Sequence, residues 1–255
     1  MTSGVILGIL GSRVLAGGLA ALWGWRSVYL TLAVLLLALA YLALRLLPTD
    51  LRTERPTYGQ VLFSLGRLFH EGLFLSRGLI AFFLFASFGT LWSGLALPLA
   101  AEPWNLNTAQ IGLFGVAGLA GALGAARAGR WADSGQADIV TGAALVLLAV
   151  SWVATGQVTW SLWAVVVGVV ALDFAVQAVH VSNQHRPGRT GSVIGGYMVF
   201  YSLGSALGAT ATTTVYSTYG WTGSSVLGGA FSLCALAVWA IGRRVVAGDR
   251  RSVAA

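Results

Sequence analysis

Four polar residues recur on one face of a predicted helix, and their types suit proton exchange. Asp173 follows a stretch, residues 139–172, that contains no charged residue. A carboxyl group in an apolar segment is costly unless it is neutral, paired or hydrated, so Asp173 is a candidate for binding and releasing a proton. Gln177, His180 and Gln184 follow at intervals of four, seven and eleven residues, which places all four on one helical face. The stripe predicts a cavity wall with a proton path; the alternative is an aspartate that only bonds to a neighbouring helix.

Arg13 is a second candidate inside an apolar segment. It lies near the middle of the first such segment. A guanidinium group does not lose its proton there, so it requires an acidic partner or an anionic ligand. Two interpretations stay open: Arg13 faces a central cavity on the substrate path, or it holds two helices together.

Aromatic residues are the next candidates, and their placement allows two readings. Trp92 and Tyr201 either line an apolar cavity or face lipid. Trp and Tyr near the ends of spanning helices are typical of the membrane–water interface. That rule predicts interfacial anchors at Trp104, Trp160, Tyr219 and Trp221.

Signatures of enzymes and cofactor sites are absent from the sequence. His70, His180 and His185 are not spaced as a metal site together with the acids. There is no P-loop and no Gly-x-Ser-x-Gly motif, and the single cysteine, Cys234, rules out a disulfide framework. The sequence therefore predicts no enzymatic activity, no metal and no cofactor. If the protein transports a solute, the missing P-loop means that a gradient, and not nucleotide hydrolysis, would drive this secondary transport.

The elements that must position these residues lie in a membrane. The chain is 57% hydrophobic and 9% charged, whereas a soluble domain has about 25% charged residues. A net charge of +7 would suit nucleic acid, but the arginines lie between long apolar runs instead of forming one patch. The predicted partner is therefore the lipid bilayer, and nucleic acid is excluded.

Eight apolar segments each have about 20 residues, the length of helix that crosses the hydrocarbon core. Backbone groups in lipid need partners within their own segment, so these segments form helices. The predicted fold class is an all-α integral membrane protein with about eight transmembrane helices. The segments are 3–23, 27–47, 77–100, 108–128, 138–156, 159–181, 193–216 and 222–242.

Arginine placement predicts the orientation of these helices. If successive connections lie on alternate sides, 13 of the 15 arginines fall on one side and Arg26 on the other, with Arg13 inside a helix. Short loops rich in arginine stay in the cytoplasm. We therefore predict a multi-pass protein of the plasma membrane with both termini in the cytoplasm.

The longest polar connection divides the chain. Residues 1–48 contain two transmembrane helices, and residues 49–76 form a cytoplasmic linker. Apolar residues at helical spacing predict an amphipathic helix over 57–72. Residues 77–242 form a six-helix unit, and residues 243–255 form a cytoplasmic tail.

A Gly-Trp turn occurs twice. Gly24-Trp25 separates the first two apolar segments, and Gly220-Trp221, 196 residues later, separates the last two. Small residues precede the turn in both places. Internal repeats of this kind are typical of transporters built from two related halves.

Six helices after a basic loop, the repeated turn and the two cytoplasmic termini resemble the major facilitator superfamily. Its members have twelve helices in two related six-helix halves. This chain is similar to helices five to twelve, the last two helices of the N-terminal half and the whole C-terminal half. The resemblance implies an exporter-like member that is shortened at its N-terminus.

Residues 129–136 are similar to the short cytoplasmic loop signature of that family, Gly-x-x-x-Asp-x-x-Gly. Gly129, Arg130 and Asp133 match it, whereas Gly135 comes one position early and the usual basic run is missing. The resemblance implies a gating loop in which Arg130 pairs with Asp133 as the two halves rock.

The resemblance implies a secondary active transporter that works by alternating access. The specific prediction is proton-coupled efflux, by antiport, of small amphipathic molecules. Asp173, Gln177, His180 and Arg13 would form the proton and substrate path. The alternative is a shortened chain that does not transport, or a half that needs a separate N-terminal partner.

The arginine distribution leads to a direct test of orientation. Reporter fusions within residues 102–107 and within residues 182–192 should lie in opposite compartments, because three helices are predicted between them. Paired phosphatase and fluorescent-protein reporters, each active on one side only, make the measurement. Both fusions reporting the same compartment would overturn the predicted layout.

Overall fold

The structure is a computed structural model that describes residues 2–46, 71–131, 136–184 and 190–253, together with Gly59, Gly66 and Phe69. Almost all of this part is helical. Its helices are α1 (Thr2–Trp23), α2 (Trp25–Leu46), α3 (Gly72–Gly94), α4 (Ala96–Ala100), α5 (Thr108–Trp131), α6 (Ala137–Thr155), α7 (Leu162–Gln184) and α8 (Thr190–Val253).

The glycine of the repeated Gly-Trp turn has a positive φ at both places. Gly24, between α1 and α2, has a φ of 78°, and Gly220, inside α8, has a φ of 61°. Other residues adopt this left-handed region only at a cost, which explains glycine at both positions. Gly220 breaks α8 into two helical stretches, residues 190–219 (α8N) and residues 221–253 (α8C).

The described helices confirm the predicted all-α membrane fold. Apolar stretches long enough to cross a bilayer occur in α2, in α3 with α4, in α6, in α7 and in α8. Shorter apolar stretches lie in α1 and α5. Because Gly220 falls between the seventh and eighth predicted segments, α8N and α8C account for both. The predicted amphipathic helix over 57–72 lies almost wholly outside the described residues.

The helices pack into one bundle with a hairpin attached to it. α3 lies along α8, and α7 lies between α5 and α6. The α1–α2 hairpin joins the bundle through α1, which packs against α5. α2 has no buried residue, and most of its apolar side chains are exposed.

Glycines set how closely α8N approaches α3. A Cβ atom at Gly204 would collide with the carbonyl oxygen of Phe82, and one at Gly208 with that of Ala86. Only glycine permits this contact between two helix backbones. Gly121 of α5 has the same relation to the carbonyl oxygen of Val170 in α7.

Tryptophan N–H groups supply polar links between the helices. Trp152 of α6 donates to the Ser87 hydroxyl of α3 at 2.8 Å. Trp221 of α8C donates to the backbone oxygen of Thr155 at 2.8 Å and is only 6% exposed. The prediction that Trp221 is an interfacial anchor is therefore wrong, because its indole group is buried against α6. Trp160 is 83% exposed, as an anchor at the membrane surface would be.

The close contact between α3 and α8N generates a stability prediction. Gly208→Ala should lower the free energy of unfolding by about 1–3 kcal/mol, the usual cost of inserting a methyl group into a packed interior. The measurement is thermal or denaturant unfolding in detergent micelles. Gly229→Ala in the same helix is the matched control, because its nearest neighbour would be the Cβ atom of Trp152 at 3.8 Å, an ordinary contact. Equal stability of the two variants would contradict the proposed packing.

Candidate functional site

Asp173 is buried where α7 faces α3. It is 1% exposed, and the indole Nε1 of Trp92 in α3 donates to its Oδ1 at 3.3 Å. The prediction that this acid lies in the interior is confirmed. The indole of Trp92 is half-buried, so it lies at the edge of the bundle with the carboxyl group behind it.

His180 lies two turns further along α7, inside a group of aromatic rings. Its Nδ1 is 3.1 Å from the hydroxyl of Tyr197 in α8N. The ring of Phe85 in α3 meets the imidazole edge-on at 5.3 Å between centroids. The ring centroid of Tyr201 lies 4.1 Å from that of Phe85 and 6.5 Å from that of the imidazole. Three helices therefore meet at His180.

A third link between α3 and α7 lies at the end of α7. Arg77 Nη1 donates to the backbone oxygen of Ser182 at 3.4 Å. The helices run in opposite directions, so the pairs Trp92–Asp173, Phe85–His180 and Arg77–Ser182 form three successive levels. On α3 these levels are about 10–12 Å apart, at 1.5 Å per residue.

The predicted polar stripe is a real face of α7, and the structure gives its members different environments. Asp173 is buried, whereas Gln177 and His180 are half-buried. Gln184 lies in the last turn of α7, and its side chain is outside the description. Arg13 lies in α1, and its side chain is outside the description as well, so its two interpretations stay predictions.

The predicted gating loop is described only in part. Gly129 and Arg130 lie in the helical backbone at the end of α5, whereas Asp133 and Gly135 fall outside the described residues. The pairing of Arg130 with Asp133 stays a prediction.

An acidic residue that the structure does describe lies just after that loop. Asp138, in the first turn of α6, pairs through Oδ2 with Arg243 Nε at 2.9 Å and accepts from Trp239 Nε1 at 3.1 Å. Arg243 also lies over the Trp239 ring, 5.1 Å from its centroid. Asp138 and Arg243 are 55% and 52% exposed, so this ion pair adds little stability. It ties the beginning of α6 to α8C.

Sequence reasoning missed four aromatic members of the site or left them undecided: Phe85, Trp92, Tyr197 and Tyr201. A signal was present, since aromatic residues recur at 85, 88 and 92 on α3 and at 197 and 201 on α8N. This is helical spacing. It marks a face of each helix but cannot tell whether lipid or another helix covers that face.

The arrangement suits proton exchange beside an apolar surface. A buried carboxyl group and a half-buried imidazole share one helix face. The aromatic rings that flank them are buried at Phe85 and Tyr197 and half-buried at Trp92 and Tyr201. A carboxyl group and an imidazole can each bind and release a proton. Within the described ranges, no cluster of His, Cys, Asp and Glu side chains is placed to hold a metal ion.

Comparisons with known proteins give one family. Residues 1–184 match the Major Facilitator Superfamily. A protein of Escherichia coli O157:H7, named as the uncharacterized transporter YgaY, is 38% identical over 243 residues, which are 93% of this chain and 62% of the relative. A protein of Streptomyces coelicolor, named as the probable transporter SCO4007, is 30% identical over 239 residues, 90% of this chain and 55% of the relative.

The chain thus spans between about half and two thirds of the length of these relatives. No solved structure gives a significant match. Both relatives carry the name of a transporter, in agreement with the prediction that the chain is not an enzyme.

The Trp92–Asp173 contact generates a prediction that needs no transport assay. Trp92→Phe keeps an aromatic ring but removes the N–H donor, so the free energy of unfolding should fall by about 1 kcal/mol, a typical value for a hydrogen bond between membrane helices. Trp163→Phe is the control, because Trp163 lies on α7 and is 80% exposed. In an Asp173→Ala background the effect of Trp92→Phe should shrink to that of the control. Equal effects in both backgrounds would show that the indole does not stabilise the carboxyl group.

Proposed function

This chain belongs to the Major Facilitator Superfamily, and from that premise we propose that it acts as a secondary active transporter working by alternating access. The observation that carries the proposal is the buried Asp173 carboxyl group, 1% exposed and bonded across two helices. An acid held inside a membrane bundle is costly and usually serves an ion or substrate path.

The coupling ion in this proposal is the proton. Asp173 and His180 lie on one face of α7, about 10 Å apart along the helix axis, with the half-buried Gln177 between them. Side chains that gain and lose protons at moderate pH are the means by which a membrane protein couples to a proton gradient. Arg13 is included as a further member of the path, on the strength of its place inside an apolar helix.

The proposed substrates are small amphipathic molecules that leave the cell. Phe88 and Trp92 are half-buried on α3, with ring centroids 6.4 Å apart, and they continue the aromatic face that begins at Phe85. An apolar wall with a buried acid behind it suits a ligand with an apolar body and a polar group. Efflux in exchange for protons is the direction we propose.

We place the protein in the plasma membrane with both termini in the cytoplasm. On this orientation the Arg77–Ser182 level faces the cytoplasm, as do Arg243 and Arg244. The loop that contains Gly129, Arg130, Asp133 and Gly135 lies on the same side and serves as the gate. Support comes from the arginine distribution, which follows the positive-inside rule.

A second candidate function requires a partner for the α1–α2 hairpin. α2 has no buried residue, and the relatives are longer than the part that this chain matches. In this alternative the transporter forms only when a further membrane segment packs against the hairpin and supplies the opposite wall of the path. The chain by itself would then insert but not transport.

The main proposal is tested with Asp173→Asn, which has nearly the same size but cannot bind and release a proton. Ethidium, an amphipathic fluorescent dye, is the probe, and everted membrane vesicles supply the proton gradient. Gradient-driven uptake of ethidium should fall to the level of vesicles that lack the protein, while membrane insertion stays unchanged. Normal uptake by the variant would remove Asp173 from the mechanism.

Two controls separate the alternatives. Glu102→Gln changes an exposed acid in the connection between α4 and α5 and should leave uptake intact. If the unmodified chain gives no uptake, it is co-expressed with the part of YgaY that it does not match. Uptake only in the co-expressed vesicles would favour the partner alternative.

A further inference from the structure

Tyr197 lies in the interior of the bundle at the level of His180. It is 4% exposed, and its hydroxyl lies 3.1 Å from His180 Nδ1. The ring centroids of the two residues are 5.4 Å apart. Around this pair the imidazole also meets the rings of Phe85 and Tyr201, so the Tyr197 hydroxyl adds a polar contact beside these aromatic contacts.

We infer that Tyr197 is a positioning residue that fixes the tautomer of His180. This inference rests on the proposed function, because it concerns the imidazole that we place on the proton path. A neutral imidazole has one nitrogen that donates and one that accepts. A phenol O–H is a stronger donor to an imidazole nitrogen than its oxygen is an acceptor from a neutral imidazole N–H. In the neutral pair the Tyr197 hydroxyl therefore donates to Nδ1, and the proton of the ring sits on Nε2.

The same hydroxyl also suits the charged ring. Both nitrogens of a protonated imidazole are donors, and a phenol oxygen can accept as well as donate. If a proton adds to Nδ1, the hydroxyl turns and its oxygen accepts from Nδ1–H. The pair therefore keeps its hydrogen bond in both protonation states, which an apolar neighbour could not provide. The proton that charges the ring thus adds at the nitrogen that faces Tyr197.

The charged and titratable groups nearby come from each helix packed around the pair. On α3 the nearby charged group is Arg77, and on α8N the nearby phenol is Tyr201. Asp173 lies on α7 itself, two turns away. Arg77 also holds the backbone oxygen of Ser182, two residues after His180. A positive charge therefore lies on the side of the pair from which we propose that protons exchange with the cytoplasm.

The test reads the tautomer directly. The full chain, labelled with 15N-histidine, is placed in lipid bilayers and studied by solid-state NMR, in which protonated and unprotonated ring nitrogens have well-separated shifts. The chain has three histidines, and His180→Gln identifies the signals of His180. At a pH at which the ring is neutral, the unmodified chain should show one tautomer, with the proton on Nε2. Tyr197→Phe should raise the share of the tautomer that carries the proton on Nδ1.

The controls keep this result independent of transport. Tyr201→Phe removes a hydroxyl from a ring that also touches the imidazole and should leave the His180 tautomer unchanged. An equal mixture of tautomers in the unmodified chain, or His180 signals unchanged in Tyr197→Phe, would overturn the inference. Should Tyr197→Phe not fold, the unmodified chain still gives a result: a proton on Nδ1 of neutral His180 would overturn the inference, and an unprotonated Nδ1 whose 15N signal is shifted upfield by a hydrogen bond would support it. Failure of the ethidium assay with Asp173→Asn would contradict the proposed function without touching this measurement.

Discussion

Close contact between the backbones of α3 and α8N governs the site. Gly204 and Gly208 allow α8N to approach the carbonyl oxygens of Phe82 and Ala86, a distance that any side chain would prevent. Tyr197 and Tyr201 precede these glycines by seven residues each, so all four lie on one face of α8N. The contact that brings the two helices together therefore also directs both tyrosines toward α3 and α7. The aromatic group around His180 is thus linked to glycine packing about two turns further along α8N.

Lipid adds a second constraint, because it offers no partner for a polar group. In the described part of the bundle, indole N–H groups meet this need across helices: Trp92 bonds to Asp173, Trp152 to Ser87 and Trp221 to a backbone oxygen. Each indole also buries a large apolar surface, so a single residue contributes both packing and a polar link. At Trp92 the polar link reaches the acid on which the proposed function depends. That hydrogen bond links two helices and also holds the carboxyl group that the proposed function requires.

The three levels that join α3 to α7 are the place where the proposed path would run. Between Trp92–Asp173 and Arg77–Ser182 the two helices are linked through aromatic edges and half-buried polar side chains, whereas α3 packs along α8 over much of its length. Few contacts need to change for α3 and α7 to separate. A transporter that alternates between two states requires such a place, where small movements open a route without disturbing the glycine contacts.

Much of the architecture follows from the sequence. Apolar length located the membrane helices, and the Gly-Trp turn located the break in α8, because the hydrocarbon thickness and the glycine-only backbone are local constraints. The helical period of 3.6 residues per turn also placed Asp173, Gln177 and His180 on one face of α7. Which helices cover that face was not contained in any local pattern. Trp221 has the flanking position of an interfacial anchor yet lies buried, and Trp92 and Tyr197 became site residues only because their helices meet α7. Partner choice between helices depends on close packing and hydrogen bonds summed over whole surfaces, and only the folded bundle decides it.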